Sequence, residues 1–439
     1  MISYKNEEKG ITLIALVVTI ILLLILAGVS INALAGQNGL LKKATDVKEK
    51  TAVAQRKENL KTAVMTAMVH GNGKITNENL QNSLNSSFGE EKYQKTGDEK
   101  NGWIVTIEGE RFKIDADGKV EENTKSLPKA EGTTPYLPNS TFSYKDGDLS
   151  TGLVINDSAE NEYVWVEVPT SIYEDATYNS KGTNKPSSSD DWQKIEKCLK
   201  SYSAYYTYSA YSDSNSTFLD LYKNMLKSVY ENGGFWIGRY EAGIENNRKA
   251  KGDVSDLPIT KANMYPYNYV SRDQAQNLAT GLNYENCTSS LMFGLQWNLV
   301  LKYIEVKTIN ADSEIGTKLK TTSTTIGNCK DSVWNVTSKT AKYSSDLGNS
   351  FWSCPYEKNS SGTILLTTGA NTNYSFMNIY DLAGNVREWT LEYYTEKRPC
   401  VGVGGCYFFD GSWDTAYFRF NAVIGFAFHL VGFRVGIWK

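Results

Sequence analysis

The side chains able to do chemistry are few and widely spaced. Only two histidines occur, His70 and His429, so a three-histidine metal centre is excluded and a catalytic imidazole must be one of these two. Six cysteines stand at 198, 287, 329, 354, 400 and 406, with no Cys-x-x-Cys among them, so neither a zinc knuckle nor a thioredoxin-like dithiol is expected. Cys400 and Cys406 are close enough in sequence to pair in an exported domain; free buried thiols are the equal alternative. Asp410 and Asp414 suit turn or surface positions better than an acid/base couple.

These residues sit in a chain of 439, a length that suggests two to three domains. The 46 Lys and Arg against 49 Asp and Glu leave a net charge of −3, so nothing marks a nucleic-acid binder. Hydrophobic residues make up 41% and aromatic residues 12%, enough for real cores, which excludes a largely disordered chain. The mix of 28 Tyr, 10 Trp and 35 Gly with only 9 Pro favours irregular, loop-rich structure or an aromatic binding surface over a helical bundle.

Residues 11–31 form an uncharged apolar run, and a helix of that length spans roughly 30 Å, the hydrocarbon thickness of a bilayer. The leader before it, MISYKNEEKG, is short and polar and ends in Lys9-Gly10. A secretory signal places its small-residue cleavage site after the apolar run, whereas this junction precedes it. The first 40 or so residues thus resemble the N-termini of type IV pilins and pseudopilins. That resemblance implies processing by a prepilin peptidase after Gly10, methylation of Ile11, and partnership with other pilin subunits through the helix. Pilins of this type usually carry Glu at the fifth mature position, which here is Ala15. The departure favours a minor or tip subunit over a repeating one; the alternative is a filament that dispenses with the Glu.

Beyond the apolar run, Gly36 and Gly39 interrupt the helix, which resumes near Leu40. Leu41, Ala44, Val47, Leu60, Val64 and Ala67 keep helical spacing, and Gly71-Asn72-Gly73 stops it. Trp103–Ile107 and Arg111–Ile114 read as short strands, and the turn at Asp115–Gly118 leads to a third. Polar residues 121–140, with Pro128, Pro135 and Pro138, read as a linker. The expected layout is a leader at 1–10, a pilin-like helix and small sheet at 11–120, that linker, and a distal domain at 141–439.

In the distal region, Glu162–Pro169, Gly234–Glu241, Tyr267–Ala275 and Ser290–Trp297 precede Ile379-Tyr-Asp-Leu-Ala-Gly-Asn-Val-Arg-Glu-Trp389. Gly404-Gly405, Gly411-Ser-Trp413 and Gly432-Phe-Arg-Val435 follow. In this order the blocks resemble the formylglycine-generating, sulfatase-modifying domain, a variant of the C-type lectin fold. The fold class expected is therefore α+β: a long helix with a small antiparallel sheet, then an irregular C-type lectin-like domain. The oxidases of that family bind copper through two cysteines just upstream of the Gly-Phe-Arg block. The matching stretch, Tyr417–Gly425, has none, so no enzyme activity and neither copper nor iron is expected. The resemblance also implies a structural Ca²⁺ held by Asp381, Gly384, Val386 and Glu388, a set of oxygen donors suited to a hard cation. The alternative is that Asp381 begins a turn and Glu388 pairs with an arginine.

From Arg398 to Trp438 there is no Lys, Glu, Gln or Met, while Phe, Gly, Val, Ala and Tyr crowd together. That composition resembles the variable proteins of diversity-generating retroelements, whose mutated Asn codons reach Phe, Gly, Asp, Cys or His but never Lys, Glu, Gln, Met or Trp. The resemblance implies a variable region at 404–435, with Gly411, Ser412 and Arg419 as scaffold. Its candidate ligand-binding positions are Cys406, Phe408, Phe409, Asp410, Trp413, Asp414, Phe418, Phe420, Ala422, Val423, Phe426, Phe428, His429 and Leu430. The whole reads as a bacterial surface protein, membrane-anchored before assembly, that displays a domain for a protein or glycan ligand and binds no nucleic acid. The alternatives are a purely structural minor pilin and, further off, a surface oxidase.

Overall fold

The computed structural model describes residues 40–439, apart from 91, 108–109, 123–126, 129, 140, 182 and 206–215. The leader, the Gly10/Ile11 junction and the apolar run lie outside the described residues, and no helix within them is long and apolar enough to cross a membrane. The chain divides into two units, Met1–Thr124 and Lys125–Lys439, both of mixed α and β structure.

In the first unit, helix α1 (Leu40–His70) stops at Asn72 and Gly73, both in the left-handed region with φ of 53° and 87°. Leu60, Ala63, Val64 and Ala67 recur at helical spacing and are all buried. They face an antiparallel meander of β1 (Tyr93–Asp98), β2 (Gly102–Ile107), β3 (Glu110–Ile114) and β4 (Val120–Glu122). Two elements here go beyond the sequence reading: strand β1 and helix α2 (Asn77–Phe88). Both are too polar to show a periodic pattern. Helix α2 buries only Leu80, Ser83 and Leu84, and a capping box starts it, in which Thr76 and Asn79 satisfy each other's backbone N–H. The indole of Trp103 donates to Asn77 Oδ1 at 2.7 Å and ties the helix to the sheet.

The second unit is built on a six-stranded antiparallel sheet. Its order is β9 (Thr288–Leu291), β14 (Val435–Trp438), β8 (Gly234–Gly238), β7 (Glu162–Glu167), β6 (Val154–Asn156) and β5 (Ser143–Asp146). A smaller sheet is ordered β12 (Arg419–Ala422), β11 (Cys400–Val403), β10 (Arg387–Thr390) and β13 (Val431–Phe433), with β10 and β13 parallel. Trp165, Trp236, Trp297, Trp389 and Trp438 are fully buried in the shared core. The chain crosses from one sheet to the other at Arg434, whose side chain is wholly buried. Its guanidinium donates to Glu388 on β10, to the Gly238 carbonyl at the end of β8 and to the Tyr380 carbonyl, so one residue clamps both sheets.

The stretch expected to be a linker is packed structure from Ala130 onward. Thr133 accepts the indole N–H of Trp165 at 2.8 Å and donates to the Gly233 carbonyl, while the Tyr136 carbonyl accepts from Trp236. The polar atoms of this strap serve buried tryptophans that would otherwise lack partners. All six cysteines are free thiols, so the Cys400–Cys406 pairing is not formed and the alternative holds.

Candidate ligand-binding face

The small sheet frames the C-terminal region. Strands β11 and β12 are joined by residues 404–418, and residues 423–430 carry the chain from β12 to β13 on the opposite edge. Two glycines fix the first connection. A Cβ on Gly405 would stand 2.1 Å from the Asp414 carbonyl oxygen, and one on Gly411 would stand 2.4 Å from the Thr324 nitrogen. Gly411 also donates to Asp331 and accepts from Ser323, which pins the loop to the body.

Around this connection the aromatic side chains make one circuit, closed through the Arg387 guanidinium. Phe408 meets Phe409 at 5.3 Å between centroids, Phe409 meets Trp413 at 5.1 Å, and Trp413 meets Phe418 at 4.8 Å. The Arg387 guanidinium lies 5.0, 5.3 and 5.0 Å from the rings of Phe409, Phe418 and Phe420 and bridges the gap. Phe420 continues to Phe426, Phe428 and His429, and His429 returns to Phe408 at 6.1 Å. Trp413 and Phe428 are 58% and 44% exposed; Phe408, Phe409, Phe418, Phe420 and Phe426 are half-buried. At the turn after β12, Val423 and Ile424 project at 51% and 67%, and Asp410 is also exposed.

Other candidate positions are not on this surface. Cys406, Asp414, Ala422, His429 and Leu430 are buried. Asp414 accepts from Arg387 at 3.0 Å and from the Cys406 backbone N–H at 2.9 Å, so it is a structural counter-ion rather than a contact residue. Burial pushes its carboxyl up, and the Arg387 charge opposes that shift. The Cys406 thiol is pushed up to about 12 by burial, and the same cause lowers His429, whose Nδ1 is within 2.6 Å of the Tyr407 hydroxyl. Arg387, Tyr407 and Ile424 escaped the sequence reading. Arg387 stands inside the Asn385–Trp389 motif, but its rings come from residues more than 20 positions away, and no local pattern announces them.

Of the residues proposed for calcium, both carboxylates have partners within the protein. Both Glu388 oxygens accept from Arg434 at 2.6–3.1 Å, and Asp381 Oδ2 accepts from the Gly369 N–H. The Val386 N–H donates to buried Glu241, which also accepts from Asn385. The alternative reading of Glu388, as the partner of an arginine, is the arrangement present, and among the described residues no three or more His, Cys, Asp or Glu side chains gather as a metal-binding group.

No protein-family model matches the chain, and neither does a curated protein. The solved structures similar to part of it include two of low identity. CarF matches with 14% identity over 47% of this chain and 86% of its own, at a TM-score of 0.31. Treponema denticola variable protein 1 matches with 13% identity over 47% and 85%, at a TM-score of 0.27.

Proposed function

We propose that this chain is a surface-displayed ligand-binding protein, a pilus-associated minor or tip subunit whose residues 125–439 form a non-enzymatic binding domain of the C-type lectin, sulfatase-modifying type. The observation that carries the reading is the aromatic circuit from Phe408 to His429, with Trp413, Phe428, Val423 and Ile424 projecting from it. Aromatic side chains cover large area at low entropy cost and dominate binding hot spots. Contiguous apolar surface of this kind marks an interaction site more often than a bare patch. The absence of catalysis is supported by what the titratable groups here do: Asp414 serves Arg387, His429 meets Tyr407, and Cys406 is buried. Diversification is supported by the layout, since the exposed positions Trp413, Val423, Ile424 and Phe428 lie in connections between strands.

The test is a selection. The full chain in detergent, immobilised, is screened against a random-peptide display library and a glycan array. The clones or glycans retained should lose binding to the Trp413→Ser, Phe428→Ser double variant. Its melting temperature should stay near that of the parent, because exposed substitutions usually fall within about ±0.5 kcal/mol. Retained binding by the double variant would remove this face as the site.

A further inference from the structure

Arg387 is buried, and its counter-ion, Asp414, is buried with it. Its partner Asp414 accepts from Nε and Nη2, contacts made along the plane of the guanidinium. The guanidinium carbon also lies over the rings of Phe409, Phe418 and Phe420 at nearly equal distances of 5.0, 5.3 and 5.0 Å from their centroids. Phe409 and Phe418 belong to the 404–418 connection and Phe420 to β12, so the cation is the common contact of the connection's two ends and the strand. A guanidinium is flat and weakly hydrated and stacks on aromatic faces; a lysine ammonium is a hydrated point charge and does not.

We infer that Arg387 is the positioning residue of the binding face: it selects planar side chains at 409, 418 and 420 and holds them in one arrangement before a ligand arrives. The inference rests on the reading of this surface as the binding face but goes beyond it. It says which positions are biased toward rings, and it places the order of the face in the free protein. A preordered surface spends less of its contact energy on immobilising side chains when it binds. The Trp413 ring packs on those of Phe409 and Phe418 and is ordered through them. Val423 and Ile424 lie outside this control and are free to take any side chain.

Hydrogen exchange read by mass spectrometry on the full chain tests this without a ligand, so its outcome is separate from whether the face binds anything. Two variants of one residue are compared. Phe418→Tyr keeps a ring; Phe418→Leu keeps the apolar volume and loses it. If the guanidinium organises the face, the Leu variant exchanges faster by about fivefold in peptides spanning 406–413 and 419–426, while the Tyr variant matches the parent. The same Leu change made in an Arg387→Lys background should then add nothing. Equal exchange in the Leu and Tyr variants, or acceleration confined to the peptide that carries the substitution, would overturn the inference, because both point to simple apolar packing. If Arg387→Lys does not fold, the comparison of Leu with Tyr stands by itself.

Discussion

Asp410 and Asp414 look alike in sequence, and the structure separates them sharply. Asp410 is exposed, while Asp414 is fully buried. It holds the Arg387 guanidinium at 3.0 and 3.3 Å and the Cys406 N–H at 2.9 Å. Asp414→Ala leaves a buried cation without its counter-ion, which typically costs about 3–5 kcal/mol. It also orphans a buried N–H, for about 1–3 kcal/mol more, although the two losses share one site and do not simply add. Taking about 4 kcal/mol, and about 2–4 °C per kcal/mol for a unit of this size, the melting temperature should drop by about 8–16 °C. Asp414→Asn keeps an acceptor for Cys406 and should fall between parent and Ala. Asp410→Ala should shift the melt by no more than about 2 °C, as an exposed substitution does. Far-UV circular dichroism melts of the full-length variants, run side by side, read the difference. If Asp414→Ala melts with the parent, the buried pair is not formed and the framework under the face is wrong.

Burial raises the carboxyls of Glu241, Asp381 and Glu388 above their unfolded values near 4, Asp381 to about 6, with mutual repulsion adding to the rise at Glu241. A raised carboxyl favours the folded chain most below its unfolded pKa and loses that advantage as pH climbs through the folded value. The melting temperature should therefore fall from about pH 5 to about pH 7, and Glu241→Gln should flatten the fall. Because Glu388 is committed to Arg434, neither EDTA nor added calcium should move the melt; a rise of several degrees with calcium would show that an ion displaces the guanidinium. At the N-terminus, mass spectrometry of the native protein should find Ile11, N-methylated, as the first residue. An intact Met1, or a cut beyond Ser30, would exclude the pilin-type processing.

What could be read from the sequence was what local pattern encodes. The apolar runs at Glu162–Pro169 and Gly234–Glu241 became β7 and β8, and the stop at Gly71–Gly73 ended α1 where expected. Helix α2 was hidden because a capping box and two leucines carry it, with no stripe to see. The strap at 130–139 looked like a linker because its task is to satisfy indoles supplied from residues 165 and 236. The candidate face shows the same division. Its aromatic composition was visible, but which residues point outward depends on Arg387 and Asp414 meeting across 27 positions, and burial of that kind leaves no periodic trace.

The placement of β14 has a consequence for how the protein is made. Residues 435–438 lie between β8 and β9, with Ile437 paired to both Trp236 and Ser289, so an interior strand of the large sheet is the one furthest along the chain. Until those residues emerge during synthesis, β8, whose residues Gly234–Gly238 are buried throughout in the finished fold, presents an open apolar edge. Arg434, which joins the sheets, arrives at the same moment. The two sheets of the second unit therefore close together, on pairing of one short strand and burial of one side chain, and an unpaired β8 edge exposed before that step is open to pairing with another chain.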